Sequence, residues 1–315
     1  MYGQFFVMFA MIFTGYIMRK INFIKEEMNN SLNKFIVYCA YPCMLTYNIG
    51  TMKMNAALIK DFLLMMTISF AMLLIFAFIT RLYTKARHFP DRASSVSELC
   101  MTCPNNGFMG FPMALSFLGS QGLFLMTAQN SAMNIFFFSY ALYALRRNNE
   151  NKSKLTVSTV IGSTIKVLLN PNILALFVGF FFCLTDIPLD NAIGTYLNYI
   201  GGAATPMAMI FIGSTLAGSK FFEMLRNHIV WESAIIKLIV LPIIVAIAML
   251  ILPLDTNFKV IMVLGVCFPT AATVPMLAEQ EGQSHELASR ILFFTTVVSM
   301  VTVPFTITLI KLLFL

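Results

Sequence analysis

Two short stretches of this sequence carry the residues that could do chemistry. One reads Cys103-Pro104-Asn105-Asn106-Gly107-Phe108-Met109-Gly110-Phe111-Pro112, the other Cys267-Phe268-Pro269-Thr270-Ala271-Ala272-Thr273-Val274-Pro275. Both interrupt apolar segments. Proline removes a backbone donor and clashes with the preceding turn, and glycine costs about 1 kcal/mol in a helix interior. Polar amides in hydrocarbon need partners or water, so such a stretch is tolerated where a helix is broken and lines a cavity. Half-helices beginning near Pro112 and Pro275 would turn positive dipole ends toward that cavity, which holds an anion without a buried Lys or Arg. The expected lining is Asn105, Asn106, Gly107 and Pro112 from one stretch and Pro269, Thr270, Thr273 and Pro275 from the other. The expected ligand is a small carboxylate.

Other polar residues invite weaker readings. Gln129, Asn130, Ser131 and Asn134 give one apolar segment a polar stripe. Asn130 and Asn134 are four apart and share a helix face, so the stripe is either a cavity wall or a set of interhelical hydrogen bonds worth about 0.6 kcal/mol each. Glu98 is either a proton-coupling carboxylate or an interfacial residue near Arg92, and the interfacial reading is preferred. Glu279, Glu281, His285 and Glu286 read as a solvated loop, and Lys166, Glu232 and Lys237 as snorkelling residues near span ends. Tyr41, Pro42, Asn48, Thr205 and Pro206 mark kinks with a packing role. Cys100 and Cys103 form a C-x-x-C without a second Cys/His pair at metal spacing, so no metal and no cofactor are expected.

The elements that must position these residues are membrane helices. The chain of 315 residues is 58% hydrophobic and 11% charged, with a mean hydropathy of +0.80. A soluble domain carries about 25% charged residues and needs a polar skin. Soluble enzymes, nucleic-acid binders and disordered chains are excluded. The net charge of +7 is scattered through short loops rather than gathered into a basic stripe, so no nucleic-acid partner is expected. A span needs about 20 mostly apolar residues. Ten candidates follow: 3–20, 31–51, 57–82, 94–118, 121–146, 168–185, 190–217, 229–252, 257–279 and 287–313. With both termini outside a cell membrane, every Lys and Arg except Lys53, Lys60, Lys259 and Lys311 falls on the cytoplasmic side, as the positive-inside bias requires.

An internal repeat is also visible. Gly15 to Pro42 and Gly179 to Pro206 are both 27 residues apart, while Pro42 to Pro112 is 70 and Pro206 to Pro275 is 69. Each repeat, 1–150 and 151–315, then holds five spans. Five is odd, so the second copy enters the membrane from the opposite side. The expected fold class is an all-α integral membrane protein of two inverted five-helix repeats, with spans four and nine broken and crossing. That architecture and its paired interruptions belong to secondary transporters.

The segments that carry these motifs resemble the auxin efflux carrier family, which includes plant PIN-formed auxin carriers and bacterial permeases for malate or malonate. Pro104, Asn105, Met109, Gly110 and Pro112 match the plant pattern P-N-T-L-V-M-G-I-P, and Val274, Pro275, Ala278 and Glu279 match the ninth-span pattern. Pro269 sits one residue further from the second proline than in the plant pattern. Gly15, Tyr16, Arg19 and Pro304 fit the family at the first and tenth spans. The resemblance implies that spans 1, 2, 6 and 7 form a scaffold, often a homodimer, and that spans 3–5 and 8–10 form a transport domain moving like an elevator. It implies carboxylate contact at Asn105 and a polar pair at Gln129 and Asn130. The long loop of many plant carriers is absent, and Asp61 lies at the edge of the third span without a lysine partner, so auxin-specific coupling is not implied. Two other readings stay open on sequence. A sodium-coupled organic anion carrier of the bile-acid type would need carboxylates at the crossing, and a non-transporting sensor could use the same fold.

Overall fold

A computed structural model describes residues 2–147, 169–185, 187–217 and 227–314. Among these residues the structure is helical, with no β-strand. In chain order the helices are α1 (Tyr2–Lys20), α2 (Glu26–Phe35), α3 (Tyr41–Gly50), α4 (Ala56–Ala86), α5 (Asp91–Thr102), α6 (Phe111–Phe136), α7 (Leu142–Arg146) and α8 (Pro171–Thr185). The rest are α9 (Ala192–Gly202), α10 (Ala204–Ala217), α11 (His228–Ile235), α12 (Leu241–Ile251), α13 (Thr256–Cys267), α14 (Thr273–Gln280) and α15 (His285–Phe314). Helical stretches long and apolar enough to cross a membrane are Ala56–Ala86, Asn106–Arg146, Ala192–Ala217, His228–Ile251 and His285–Phe314, and the second of these is kinked at Leu118 and Gly119, where the backbone leaves helical geometry. Large apolar side chains such as Phe78, Ile75 and Leu74 lie exposed on α4, a surface suited to lipid and not to water. Lys152, Lys154, Lys166, Lys220 and Arg226, expected in cytoplasmic loops, lie outside the described residues.

The prolines explain much of the local geometry. Wide π-helical turns span Ile36–Ala40, Asn106–Gly110, Phe137–Ala141 and Ile236–Val240. Three of them end two residues before Pro42, Pro112 and Pro242. A proline lacks the N–H that would bond four residues back and presses its ring on that carbonyl. Here that carbonyl belongs to Tyr38, Phe108 or Leu238, each inside the wide turn. Widening the turn moves it out of the way. The fourth turn carries no proline but holds Tyr140, which bonds Glu98. Helix starts are capped as their sequences require. Asn191 accepts from the N–H groups of Ile193 and Gly194, Asn227 from Ile229, and Asp255 from Asn257.

The chain divides into two compact units, Met1–Leu63 with Gly107–Thr127 and Leu168–Ser219, and Leu64–Asn106 with Ala128–Val167 and Lys220–Leu315. In the first, α1 packs along α10, and α3 packs along α8 and α9. Glycines set these approaches. A Cβ at Gly213 would fall inside the Ile12 carbonyl, one at Gly15 inside the Ile210 carbonyl, and one at Gly201 would meet the Met44 backbone at 2.7 Å. Small residues let membrane helices close on each other's backbones. Gly213→Ala is therefore expected to destabilise the protein by about 1–3 kcal/mol, the usual cost of overpacking a fitted contact. Thermal melting of the detergent-solubilised protein reads it, and an unchanged midpoint would refute the close-approach argument.

In the second unit α15 is the hub, packing against α5, α11, α13 and α14. Leu99, Phe136, Ile291 and Phe294 sit in its buried core. Thr80 and Thr102 hydroxyls meet at 3.3 Å, and Ser94 donates to Thr84 at 2.8 Å. These hydroxyls are thus satisfied against each other inside this unit.

Candidate functional site

The two proline-rich interruptions meet inside the second unit. Helix α5 ends at Thr102 and α13 at Cys267, and the extended segments that follow pair antiparallel at Pro104 and Thr270. The Asn105 N–H donates to the Pro269 carbonyl at 2.8 Å, and the Ala271 N–H donates to the Cys103 carbonyl at 2.9 Å. Neither proline is asked for a donor it lacks: Pro269 accepts, and so does Pro104, from the Asn106 N–H at 3.0 Å. The pairing satisfies backbone groups that a broken helix would otherwise leave orphaned in an apolar interior.

Side chains finish the job unevenly. The Thr270 hydroxyl donates to the Cys100 carbonyl at 2.8 Å, one of the last carbonyls of α5, and its N–H donates to Thr295 Oγ1 at 3.3 Å. Thr270 is a structural clamp of the crossing. Asn105 is buried. Asn106 is fully buried, and neither its amide oxygen nor its amide nitrogen has a hydrogen-bond partner among the described residues. Burying an amide unpaired is costly, which sets Asn106 apart from the satisfied polar groups around it.

The polar stripe on α6 also enters this unit. Gln129 is buried, with Nε2 donating to the Met262 carbonyl at 3.4 Å and Oε1 unpartnered. Gly265 on α13 makes room for it, since any Cβ there would collide with the Gln129 amide. Asn130 is buried and Asn134 half-buried. Thr273 stands exposed at the first position of α14, and Pro275 is half-buried in that helix's first turn. Gly107 and Pro112 belong to the first unit, where Pro112 is buried. The helix after the first interruption starts at Asn106 rather than near Pro112, because the wide turn accommodates the proline.

Three readings of charged residues are corrected. Glu98 has Arg147 rather than Arg92 as its cationic partner: it is fully buried, accepting from Tyr140 Oη and Arg147 Nη2, each at 2.6 Å. Glu281 is not solvated but buried, with a two-pronged pair to Arg146 at 2.9 and 3.1 Å, and Gln283 beside it donates to the Leu145 carbonyl at 2.7 Å. Glu279, His285 and Glu286 are exposed as expected. Lys237 does not snorkel. It is fully buried in the wide turn Ile236–Val240, and its Nζ has no hydrogen-bond partner among the described residues. Of the other two residues read as snorkelling, Glu232 pairs with Arg87 at 2.7 Å and Lys166 lies outside the described residues. A charge well inside an apolar stretch is a functional candidate by default, and that signal was present in the sequence.

Among the described residues no group of three or more His, Cys, Asp or Glu is placed to hold a metal ion. Cys100 and Cys103 are both buried and free.

Apolar helices and two paired interruptions with a buried amide beside them describe a membrane protein with a polar break in its apolar interior. The comparison with known families gives that class its name. The family model described as membrane transport protein matches residues 1–307, and the chain belongs to that family. It is the family to which the auxin efflux resemblance pointed. An "Uncharacterized transporter" of Methanothermobacter thermautotrophicus is 24% identical over 298 residues, covering 94% of this chain and 93% of that one. A Rhizobium meliloti protein named "Putative malonate transporter" is 25% identical over 298 residues, covering 94% and 91%. A Methanocaldococcus jannaschii relative, also named as an uncharacterized transporter, is 23% identical over 67% of each chain.

Proposed function

We propose that this protein is a secondary carrier of small organic anions, binding a carboxylate at the paired interruptions. The observation that carries the reading is Asn106, a fully buried amide without a partner beside two helix breaks joined backbone to backbone. Amide N–H groups and helix ends suit a carboxylate. The name of the Rhizobium meliloti relative puts malonate first among substrates to try.

The remaining parts of the reading come from the sequence and its resemblance. The chain is read as ten spans in two inverted repeats, 1–150 and 151–315, with both termini outside the cell membrane. Gly15 packs on Ile210 and Gly179 on Ile49, a reciprocal pattern that supports the inversion. Spans 1, 2, 6 and 7 act as scaffold, through which a homodimer would form. Spans 3–5 and 8–10 carry the site across by a rigid-body, elevator-type movement. The compactness of the unit that holds the crossing supports this division.

Counterflow in proteoliposomes tests the proposal. Preloading with cold malonate, malate, succinate, lactate or indole-3-acetate is expected to accelerate uptake of the labelled acid for at least one of them. Asn106→Ala is expected to raise the half-saturating concentration about tenfold, since a hydrogen bond to a charged group contributes about 1.5–3 kcal/mol and 1.4 kcal/mol is a factor of ten. Silence for all five acids with folded wild-type protein would retire the carboxylate reading.

A further inference from the structure

Lys237 is the feature that carboxylate binding leaves unexplained. It sits on a helical stretch, His228–Ile251, that is long and apolar enough to cross a membrane. Its turn packs against α5, α13 and α15, and the side chain is fully buried with no hydrogen-bond partner for Nζ among the described residues. The titratable groups that face it are the thiols of Cys100 and Cys103 from the α5 side and of Cys267 from α13; α11, α12 and α15 bring none. Cys103 and Cys267 are the residues at which the two interruptions begin. The ammonium therefore lies beside the C-terminal ends of two half-helices, which carry negative dipole ends, at the residues where the paired interruptions start. The buried carboxylates of this unit are taken elsewhere, Glu98 by Arg147 and Tyr140 and Glu281 by Arg146.

An unpaired ammonium in a dry interior is resolved in two ways: it gives up its proton, or an anion comes to it. Both routes are open at this position. We propose that Lys237 is a proton-carrying site of the carrier, so that each bound anion brings one proton onto Nζ and both cross together. The inference rests on the carboxylate reading above and deepens it by naming the coupling ion. The chemistry balances simply. The lone pair of the neutral amine takes a proton from a buffer acid or hydronium, forming an N–H bond and leaving the conjugate base outside. On the far side the anion departs, and the proton returns to water. Carriage of a monoanion is then electroneutral, and a proton gradient drives accumulation.

Proton counting on the purified full-length chain tests this. Labelled malonate is bound to the protein in weakly buffered solution at about pH 7.5, with a pH indicator reporting protons and equilibrium dialysis reporting bound anion. Wild type is expected to take up close to one proton per malonate bound. Lys237→Met and Lys237→Arg, each checked for a wild-type-like melting midpoint, are expected to bind malonate with less than about a tenth of that uptake, because methionine holds no proton and arginine never gives its proton up. Binding by wild type without proton uptake overturns this inference and leaves the carboxylate site standing. That measurement needs no variant to fold. Equal uptake by wild type and either variant also overturns it, since the proton then resides on the malonate or elsewhere. Absence of malonate binding to folded wild type overturns the inference together with the malonate site beneath it.

Discussion

Arg147→Ala is expected to be among the most destabilising single changes in this protein, by about 3–5 kcal/mol. Glu98 is fully buried and receives two hydrogen bonds, from Tyr140 and Arg147, both at 2.6 Å. Removing the guanidinium strands a carboxylate in the interior with a single neutral donor. A charge left behind costs far more than the pair contributes, because the desolvation of Glu98 is then uncompensated. The same reasoning fixes the control. Glu98→Met with Tyr140→Phe and Arg147→Met removes the charge, its partner and the orphaned hydroxyl at once, and an apolar replacement of a buried pair is often neutral or stabilising. The triple variant is therefore expected to melt within a few degrees of wild type while Arg147→Ala melts far below it. If the single and triple variants melt alike, burial of the ion pair is not what holds these elements together.

This pair also bears on what the sequence could reveal. The apolar runs announced an all-helical membrane chain, because a membrane helix is written in twenty consecutive residues and its interruptions in two or three. The crossing of Pro104 with Thr270 could be anticipated for the same reason: both breaks are local signals. The fate of individual polar side chains was less legible. Glu98 and Arg147 are 49 residues apart, Glu281 and Arg146 are 135 apart, and neither pairing follows from composition or spacing. Which way a side chain faces depends on rotation about the helix axis. A regular helix advances about 100° per residue, and each wide turn adds a residue that resets the phase beyond it. Lys237 sits inside such a turn. Counting from the start of its span placed it near an interface; the packing of that turn against α5 and α13 put it in the interior instead. Thr270 shows a second limit. Its hydroxyl read as a ligand group, yet the free carbonyl of Cys100 claims it, and that carbonyl is free only because α5 ends where it does.

Gly265→Ala is expected to leave the fold nearly intact and to lower anion transport by about 100-fold. The added methyl group has one main obstacle, the Gln129 amide, whose Cβ-facing atoms occupy the space it needs. Such an obstacle is the far end of a flexible side chain, so the protein yields by swinging the amide away rather than by moving helices. The swing breaks the 3.4 Å bond from Gln129 Nε2 to the Met262 carbonyl and redirects an otherwise unpartnered Oε1. A displacement of about 1 Å in a positioning group costs on the order of 10²-fold where geometry decides the rate. A double-mutant cycle separates this route from general damage. With Gln129→Ala in place the three closest obstacles to the methyl group are gone, so Gln129→Ala with Gly265→Ala should transport no worse than Gln129→Ala alone. If adding Gly265→Ala to Gln129→Ala still depresses counterflow strongly, the glycine acts through the backbone of α13 and Gln129 has no part in the site. If Gly265→Ala transports like wild type, the collision is relieved without consequence, and the polar stripe on α6 serves only to hold helices together.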